Sequence, residues 1–436
     1  MSRPSKLTES KWLRIPFKVW MIILAVVLLG FALFSILFVK RQVVEYSMGH
    51  QFSVRDPAFI GSVHALSDPL PADGNKIELL HNGDQIFPSM LAAIRSAKKS
   101  INFEAFLYES GAVGSQFRDA LVERAKAGVH VRVLLDGIGS GSALKEEDAK
   151  SFAEGGCLFA YYHPTRSFRL DQLNRRSHRR VLVVDGRIGF TGGVGFSDKW
   201  LGNADSPEHW RDVHARLEGP IVTRLQSAFQ KHWIKSGGQI FAGPDEFPIL
   251  PPAGNLKAQM VASESFSLAP FAHVQAVAFS SAEKSISITN AYCAPSNAEV
   301  RLLLEAVKRG VDVRLLLPGT HNDQPMTKAA GRTAYGDLLK GGVRIFEYQP
   351  TMIHTKTIVV DGLFSVFGTS NFDARSAQIN EEIDVTVYDE GFGRQMDEVF
   401  ESDLKLSKEY TLKEFQQRGP WERFSEWFMI PFHSQL

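Results

Sequence analysis

The chain repeats its own pattern of apolar and polar segments, and this repeat constrains the fold more than any other feature. The segment LVERAKAGVHVRVLLDG at 121–137 resembles LLEAVKRGVDVRLLLPG at 303–319. Each predicts an amphipathic helix that ends at a glycine and is followed by a short apolar strand. A further strand candidate precedes each segment, at 99–108 and 284–292. Because strands alternate with helices, each copy predicts an α/β domain with a mainly parallel sheet.

Two copies of one domain in a chain of 436 residues predict two halves that form a pseudo-twofold unit. The first half is expected over 76–240 and the second over 256–410, joined by a linker at 241–255 that is rich in glycine and proline. The remaining predicted segments are an N-terminal basic tail, an apolar helix, a second linker and a C-terminal amphipathic tail, at 1–18, 19–39, 40–75 and 411–436.

The apolar segment from Val19 to Val39 contains no charged side chain. Its length is sufficient for a helix to cross a bilayer, so it predicts one transmembrane helix before a large aqueous domain. More basic residues precede the segment than follow it, which favours a cytoplasmic N-terminus. A cleaved signal peptide is the alternative, although no small-residue cleavage site follows the segment.

The overall composition argues against several classes of function. The formal net charge is +1, so the chain lacks the basic character that favours nucleic-acid binding. Cys157 and Cys293 do not make a disulfide framework, and both are expected to be small buried residues. The sequence also lacks the His-Glu-x-x-His, Walker-type and clustered Cys/His patterns that bind metals or nucleotides. No metal and no cofactor are therefore expected.

A second repeated pattern, SHRRVLVVDG at 177–186 and IHTKTIVVDG at 353–362, joins polar side chains to an apolar run. Side chains two residues apart lie on one face of a strand, so each histidine shares a surface with the cation that follows it. The Asp-Gly pair predicts a tight β-turn, so each aspartate has either a catalytic or a turn-forming role. The candidate catalytic residues are His178, Arg180 and Asp185 in the first copy, and His354, Lys356 and Asp361 in the second.

These residue types suit phosphoryl transfer without a metal. Two imidazoles can divide the work between nucleophilic attack and protonation of a leaving group. Arg180 and Lys356 can hold phosphate oxygens. Small or polar residues follow each hairpin, where backbone N–H groups can approach an anion closely. The expected phosphate-binding residues are Gly193, Ser370 and Asn371.

An imidazole that acts as a nucleophile needs an orienting partner. Each predicted hairpin is followed by a stretch of alternating polar and apolar residues, and aligning the two stretches places Asp212 opposite Glu382. We expect Asp212 to orient His178 and Glu382 to orient His354. Strand alternation places the neighbouring Glu381 on the opposite face. The alternative for both carboxylates is an ordinary solvated strand face.

The duplicated H-x-K-x4-D motif, with a small-residue loop after it, resembles the phospholipase D superfamily. The stretches HRRVLVVDGRIGFTGG, HWRDVHARLEGPIV and FGTSNFDARSAQINEE are most similar to bacterial cardiolipin synthases, and the similarity covers about 76–410. The resemblance implies a site between two α/β halves and a phosphohistidine intermediate, with His178 as nucleophile and His354 as general acid and then base. It also implies transfer of a phosphatidyl group between two phosphatidylglycerol molecules, with release of glycerol, at the bacterial inner membrane.

Two positions depart from this resemblance. Arg180 stands where the family has lysine, and arginine keeps the charge but is larger. Gly195 stands at the position that corresponds to Asn371. A partly decayed member that binds lipid without turnover is therefore an alternative. Phospholipid hydrolysis is another, and action on nucleic acid is a weaker one. The expected partners are a phospholipid substrate and the membrane, and the sequence predicts no oligomeric state.

Two further segments bear on the membrane. The arm TRSFRLDQLNRRSHRR, at 165–180, is rich in arginine and suits an anionic lipid surface, a phosphate backbone or plain solvation. The C-terminal tail is expected either to lie at a bilayer interface or to pack against the domain. One helical face of this tail would carry Trp421, Phe424, Phe428 and Met429.

Overall fold

The computed structural model describes residues 16–38, 46–66, 70–163, 174–264 and 269–430. Most of the predicted basic tail and the start of the predicted linker at 40–75 lie outside these residues. The chain divides into an N-terminal unit, Met1–Val43, and a main unit that begins at Val44.

The described part of the N-terminal unit forms helix α1, over Phe17–Phe38. From residue 32 onward the side chains of α1 lie outside the described residues. Over the part of the chain that the structure describes, no helix was found to be both long and apolar enough to cross a membrane. The transmembrane helix expected at 19–39 is therefore not confirmed by the structure.

The main unit opens with α2 and continues into the first of two similar series of elements. The first series ends with α6, and a 3-10 turn at Asp198–Trp200 lies within it. Its elements are α2 Pro57–Ala65, β1 Ala72–His81, α3 Asn82–Ser96, β2 Ser100–Ala105, α4 Ala112–Lys126, β3 His130–Asp136, α5 Glu146–Glu154, β4 Leu158–Tyr162, β5 Val181–Val184, β6 Ile188–Gly192, β7 Val213–Glu218 and α6 Ile221–Lys235.

The second series repeats this order from β1 onward, with two short strands and one short helix as additional elements, and is followed by a short C-terminal extension. Its elements are β8 Leu256–Ala262, α7 Pro270–Ser281, β9 Ser285–Asn290, β10 Cys293–Ala294, α8 Asn297–Lys308, β11 Asp312–Pro318, α9 Pro325–Lys340, β12 Arg344–Tyr348, β13 Lys356–Val360, β14 Phe364–Gly368, β15 Phe372–Asp373, α10 Ala374–Gln378, β16 Ile383–Tyr388 and α11 Glu390–Leu404. The additional elements are β10, β15 and α10, and the extension consists of β17 Ser407–Tyr410, α12 Leu412–Gln416 and α13 Pro420–Met429.

One continuous sheet joins the two halves, and its strand order displays the duplication. The order is β17-β12-β11-β9-β13-β14-β16-β8-β1-β7-β6-β5-β2-β3-β4. The first strands of the two halves, β1 and β8, pair antiparallel at the centre. The remaining strands of each half extend outward from this pair in corresponding order. The duplicated α/β fold is thus confirmed, and the site residues of both halves follow from one pattern.

The expectation of a mainly parallel sheet is wrong in part. Within this sheet the parallel strand pairs lie towards the outside: β2 with β3 and β3 with β4 in one half, and β9 with β11 and β11 with β12 in the other. Towards the centre the strands run antiparallel, because a tight turn reverses the chain between β5 and β6 and again between β13 and β14. The sheet of each half is therefore mixed.

The core explains why the hairpin strands are apolar on both faces. Strands β5 and β13 are buried along their whole length, with helices over the sheet, so continuous apolar runs are favoured there. One cluster of buried side chains includes Val181 and Leu217 of the first half with Val359 and Val385 of the second. The halves therefore share a core and hold each other in place.

Candidate active site

The aspartates of the repeated motif lie in the hairpin turns and point away from the histidines. Asp185 has a φ of 53°, and its carboxylate accepts hydrogen bonds from the backbone N–H groups of Lys98, Lys99 and Ser100. These distances are 2.7 to 3.0 Å. By strand geometry Asp185 is roughly 20 Å along the chain from His178. The carboxylate therefore fastens the turn to the start of β2.

Asp361 does the same in the second half. Its φ is 54°, and its carboxylate accepts from the backbone N–H groups of Glu283, Lys284 and Ser285 at 2.8 to 3.0 Å. The structure thus contradicts the catalytic assignment of Asp185 and Asp361 and supports the turn-forming alternative. The physical reason is that the Asp-Gly turn lies at the opposite end of the hairpin from the histidine.

Both histidines are buried, and each is bonded to a carboxylate of the other half. His178 Nδ1 lies 2.9 Å from both carboxylate oxygens of Glu382. His354 Nδ1 lies 2.9 Å from Oδ2 of Asp212. The two carboxylates contact the histidines, but the expected partners are exchanged: Asp212 contacts His354 and not His178. Strand alternation gave the correct faces, whereas the pairing depends on how the halves meet.

Further side chains that sequence reasoning missed hold the two carboxylates. Thr369 Oγ1 donates to Glu382 Oε2 at 2.6 Å, and Asn380 Nδ2 donates to Oε1 at 3.3 Å. In the other half, Trp200 Nε1 donates to Asp212 Oδ2 at 2.9 Å. Thr369 could have been identified from its place in the small-residue loop. Trp200 gave no local signal, because the contact depends on tertiary packing.

Each cation shares its face with the preceding histidine, as the spacing predicts. Lys356 Nζ lies 3.2 Å from both ring nitrogens of His354 and donates to its backbone oxygen at 2.8 Å. Arg180 Nη1 donates to the backbone oxygen of His178 at 2.6 Å. Both cations are buried beside the imidazoles. They can therefore neutralise an anionic phosphate that enters between the histidines.

Burial sets the electrostatics of the site. Burial, with Arg180 and Lys356 nearby, lowers the pKa of His178 well below its ordinary value. Burial and Lys356 also lower the pKa of His354 to about 4, although Asp212 opposes this shift. Both imidazoles are thus unprotonated at neutral pH before substrate binds. Because each Nδ1 faces a carboxylate, Nε2 is the nitrogen left to attack or to carry a proton.

The carboxylates differ in their protonation behaviour. Burial raises the pKa of Glu382 to about 7, against the opposing effects of Thr369 and Arg180. Burial alone would also raise the pKa of Asp212, but contacts with His354 and Lys356 outweigh it and lower the pKa. The Asp212–His354 pair therefore holds an ionised carboxylate. The two chemically similar pairs are electrostatically unequal.

The loops after the hairpins lie against the carboxylates. A Cβ atom at Gly193 would come within 2.3 Å of Asp212 Oδ1, so only glycine fits there. Ser370 donates to Asp384 through both its backbone N–H and its hydroxyl. The buried side-chain oxygen of Asn371 has no hydrogen-bond partner among the described residues. Phosphate binding by Gly193, Ser370 and Asn371 stays a prediction.

The structure explains one departure from the family pattern. A Cβ atom at Gly195 would lie 3.0 Å from the indole ring of Trp200. Trp200 therefore occupies the space that an asparagine side chain would need, and its indole N–H donates to Asp212 instead. Gly195 is thus an accommodation to Trp200, which gives no support to a decayed first half.

The arginine-rich arm is only partly solvated. Arg166 and Arg169 lie outside the described residues. Arg179 is fully buried, and its guanidinium donates to the backbone oxygens of Ser263 at 2.7 Å and Glu382 at 3.2 Å. The solvated-loop alternative is therefore wrong for Arg179 and Arg180. No group of three or more His, Cys, Asp or Glu side chains that could hold a metal occurs within the described ranges.

Two buried imidazoles at a junction between duplicated halves, each tied to a carboxylate of the opposite half and flanked by a cation, define a class of phosphodiester-processing enzymes. A family model described as cardiolipin synthase, PLD-like domain, matches residues 90–233 and 276–404. The chain is 34% identical over 370 residues to cardiolipin synthase 1 of Bacillus cereus, covering 82% of this chain and 72% of that protein.

Other similar proteins agree with this match. Cardiolipin synthase A of Pseudomonas syringae is 33% identical over 365 residues, covering 81% of this chain and 72% of its own length. The solved phosphatidylserine synthase of Haemophilus influenzae has a TM-score of 0.67 at 13% identity, covering 86% of this chain and all of that one, and shows the shared fold. The chain therefore belongs to the cardiolipin synthase family of the phospholipase D superfamily.

The substitution Arg180→Lys is expected to retain or raise activity. Arg180 and Lys356 make the same hydrogen bond, each to the backbone oxygen of the preceding histidine, so a lysine can reproduce that contact. Initial rates of lipid turnover for the variant and the native enzyme would check this. Complete loss of activity would instead show that the site depends on the larger guanidinium.

The buried Lys356 is expected to set an alkaline limit on kcat/KM. Burial lowers the pKa of Lys356 to about 7, so its positive charge is lost as pH rises through this value. The pKa values of His178 and His354 are lowered, so these histidines are not expected to cause the alkaline limb. The substitution Lys356→Arg should retain the charge and move the alkaline limb upward. Identical alkaline limbs in pH–rate profiles of the two enzymes would contradict this assignment.

Proposed function

We propose that the chain is a phosphatidyltransferase that joins two phosphatidylglycerol molecules into cardiolipin and releases glycerol. One observation carries this proposal: the reciprocal pairing of His178 with Glu382 and of His354 with Asp212 at the junction of the halves. That arrangement provides two oriented imidazoles within a single site. The relatives to which this chain is similar are named cardiolipin synthases, which supports the choice of substrate.

The proposed first step is attack of His178 Nε2 on the phosphorus of phosphatidylglycerol. The bond from phosphorus to the glycerol oxygen breaks, and His354 Nε2 gives a proton to that oxygen, so glycerol leaves. An anionic phosphate close to His354 favours the protonated imidazole that this step requires. Glu382 holds the Nδ1 proton of His178 and stabilises the charge that develops on the ring. Arg180 and Lys356 neutralise the non-bridging phosphate oxygens.

The proposed second step reverses these roles. His354 takes the proton from a glycerol hydroxyl of the second phosphatidylglycerol, and the resulting oxygen attacks the phosphorus. The phosphorus–nitrogen bond to His178 breaks, which releases cardiolipin and restores the free imidazole. If water takes the place of the hydroxyl, the product is phosphatidic acid. Exclusion of water from the buried site favours the lipid alcohol as acceptor.

The test of this function uses the detergent-solubilised full chain with phosphatidylglycerol and no added metal. Thin-layer separation of the lipids and an assay of free glycerol identify the reaction. Cardiolipin with an equal amount of glycerol supports the transferase. Phosphatidic acid alone would instead establish a phospholipase D-type hydrolase, and lipid binding without any product would indicate a non-catalytic member.

Membrane attachment through α1 belongs to the same proposal. The helix contains the uncharged segment from Val19 to Val39 apart from its last residue. We place it as a single-pass anchor in the bacterial inner membrane with its N-terminus in the cytoplasm, supported by the basic residues before it. Labelling of cysteines introduced on either side of the helix, in intact cells and in lysed cells, would report the orientation.

The C-terminal helix α13 offers a second membrane contact. Its polar side faces the domain, where Glu422 bonds to Arg332 at 3.1 Å and Glu426 bonds to Arg418. Its aromatic side faces outward. The packing alternative for this tail is therefore wrong for its aromatic residues, although Met429 is buried. The exposed apolar residues of this helix are Trp421, Phe424, Trp427 and Phe428.

We expect α13 to insert its tryptophans into the interfacial region of the bilayer, because indole rings favour that region. In proteoliposomes of the full chain, lipids brominated near the headgroup should quench the fluorescence of Trp421 and Trp427. The double substitution to phenylalanine should remove the part of the quenched signal that α13 contributes, while that of Trp20 in α1 is retained. Substitution of the buried Trp233 serves as the control, since its fluorescence should resist quenching. Equal quenching of buried and α13 tryptophans would contradict the insertion.

A further inference from the structure

The residue before each orienting carboxylate forms a buried ion pair with a helix of the opposite half. Glu381 precedes Glu382, and its Oε2 lies 2.6 Å from Nε2 of His232 on α6. Arg211 precedes Asp212, and its Nε lies 2.9 and 3.1 Å from the two carboxylate oxygens of Asp403 on α11. We call Glu381–His232 the first latch and Arg211–Asp403 the second latch.

The backbone of each latch residue binds the segment that carries a catalytic histidine. His178 N donates to the backbone oxygen of Glu381 at 2.9 Å, and Glu381 N donates to that of Arg176 at 2.9 Å. Arg176, His178 and Glu381 therefore form a short parallel bridge between the halves. This bridge sets which residue faces the His178 ring, and the next residue in line is Glu382.

The second half repeats the bridge. His354 N donates to the backbone oxygen of Arg211 at 2.7 Å, and Arg211 N donates to that of Met352 at 2.9 Å. Asn82 Oδ1 accepts from both the Arg211 guanidinium and the backbone N–H of Asp212. A shift of either bridge by one residue would turn the carboxylate to the wrong face.

The latches are equivalent in the duplicated fold but opposite in charge. Helix α6 follows β7 in the first half as α11 follows β16 in the second, and both His232 and Asp403 lie in the C-terminal part of their helix. The residue that precedes the orienting carboxylate is acidic in the first latch (Glu381) and basic in the second (Arg211). Both places carry an ion pair although the signs of the charges are exchanged. This indicates that an ion pair between the halves is what each place requires.

We propose that these four residues are positioning residues for catalysis, each latch fixing the contact between one catalytic histidine and the carboxylate of the opposite half. Both pairs are buried, with side-chain exposure of 0% and 4% for His232 and Glu381, and of 7% and 6% for Arg211 and Asp403. In the second latch, removing Arg211 or Asp403 leaves the other buried charge without its ion-pair partner, so that it must move or draw in water. Movement of the latch residue then shifts the histidine bonded to its backbone.

The two latches differ in their response to pH. The groups that face His232 are Glu104 on β2, the hydroxyl of Ser177, Arg179, Tyr162 stacked on its ring, and Glu381, which also has Lys235 at 3.7 Å. Burial and Arg179 lower the pKa of His232, but the two carboxylates outweigh them and raise it.

A raised histidine pKa means that the charged latch is intact below the ordinary value and weakens as pH rises through the folded-state value. The second latch has arginine in place of histidine and does not titrate in this range. Through the latches alone, a rise in pH should therefore loosen the His178–Glu382 contact and leave the His354–Asp212 contact in place.

The test exchanges the charges of the second latch. Arg211→Glu and Asp403→Arg each leave like charges buried together, whereas the double variant restores an opposite pair. Each single variant is expected to lose on the order of 100-fold in kcat, with little change in KM, since small misplacements of catalytic groups have effects of this size. The double variant should recover most of the loss. If neither single variant folds, recovery of folding and rate in the double variant still tests the second latch. The conservative variant Arg211→Lys, which keeps the positive charge, tests it as well.

A readout independent of turnover separates this inference from the proposed function on which it rests. In protein labelled with ¹⁵N at histidine, the Nδ1 proton of His354 bonded to Asp212 should give a low-field resonance. Arg211→Glu should remove that resonance and leave the His178 resonance in place, and the double variant should restore it. If the native chain makes no cardiolipin but the resonances respond in this way, the latch stands and the proposed function fails.

A matched control distinguishes positioning from general stability. Arg132 and Glu246 form an ion pair of similar burial, at 2.9 Å, between β3 and the linker. Glu246→Gln should lower the thermal unfolding temperature but leave kcat and both histidine resonances unchanged. A double charge exchange that is no better than the single variants, or single variants no worse than Glu246→Gln, would overturn the proposal.

Discussion

Replacing His354 with alanine is expected to reduce cardiolipin formation by roughly 10⁴-fold or more, because loss of a central catalytic group has effects of this order. The imidazole is the group that exchanges a proton with glycerol in the first step and with the acceptor hydroxyl in the second. Its ring packs 5.1 Å from Trp200 and 5.4 Å from Trp210, so the substitution leaves a small cavity. The fold should survive, since the backbone bonds of His354 are retained. Lipid turnover and circular dichroism measured on one preparation check both expectations.

A nearby surface histidine supplies the control. His209 bonds to Asp205 at 2.7 Å, so it forms a histidine–aspartate pair of similar geometry outside the buried site. The substitution His209→Ala should leave the rate within about twofold, as is usual for a surface position. Substantial activity in the His354→Ala variant, or an equal loss in both variants, would reject the assignment.

Lys356→Ala is expected to abolish turnover as well, because it removes a phosphate-binding charge next to His354.

The substitution Asp212→Asn is expected to reduce kcat by about 10² to 10⁴, in line with the loss of an orienting carboxylate in other histidine-dependent enzymes. Asparagine can still accept the indole N–H of Trp200, but it no longer stabilises a protonated His354 ring. The effect is expected on His354 and not on His178, because the pairing crosses between the halves. Titration of the labelled histidine rings, followed by their NMR shifts, measures this directly.

The reciprocal substitution tests the crossed pairing from the other side. Glu382→Gln should change the titration of His178 and leave His354 close to its native behaviour. Thr369 and Asn380 can still hold the glutamine side chain, which keeps the geometry similar. A change in the His178 titration caused by Asp212→Asn would contradict the crossed arrangement and favour pairing within each half.

The crossed pairing also explains why neither half would be expected to work alone. Each half provides one histidine, one cation and one carboxylate, but its carboxylate serves the histidine of the other half. The shared core and the latches hold this arrangement together. Chemical inequality arises within this symmetry, because Asp212 is ionised beside Trp200 whereas burial raises the pKa of Glu382 to about 7.

The sequence by itself determined the duplication, the hairpins and the faces of the strands. These features follow from local backbone geometry, which repeats every two residues in a strand. Local geometry placed each cation beside its histidine, gave Asp212 and Glu382 the correct face, and put Glu381 on the opposite one. It also allowed a turn-forming role for Asp185, because an Asp-Gly pair between two apolar runs predicts a turn from adjacent residues alone.

Only the tertiary structure decided which carboxylate meets which histidine. That contact joins residues about 140 to 200 positions apart, and it depends on the central pairing of β1 with β8 and on the bridges between the halves. Tertiary packing also decided the contact of Trp200 with Asp212, the burial of Arg179, the outward aromatic face of α13 and the two latches. Strand periodicity fixes the direction of a side chain relative to its own backbone, whereas its partner is fixed by long-range packing that no local pattern encodes.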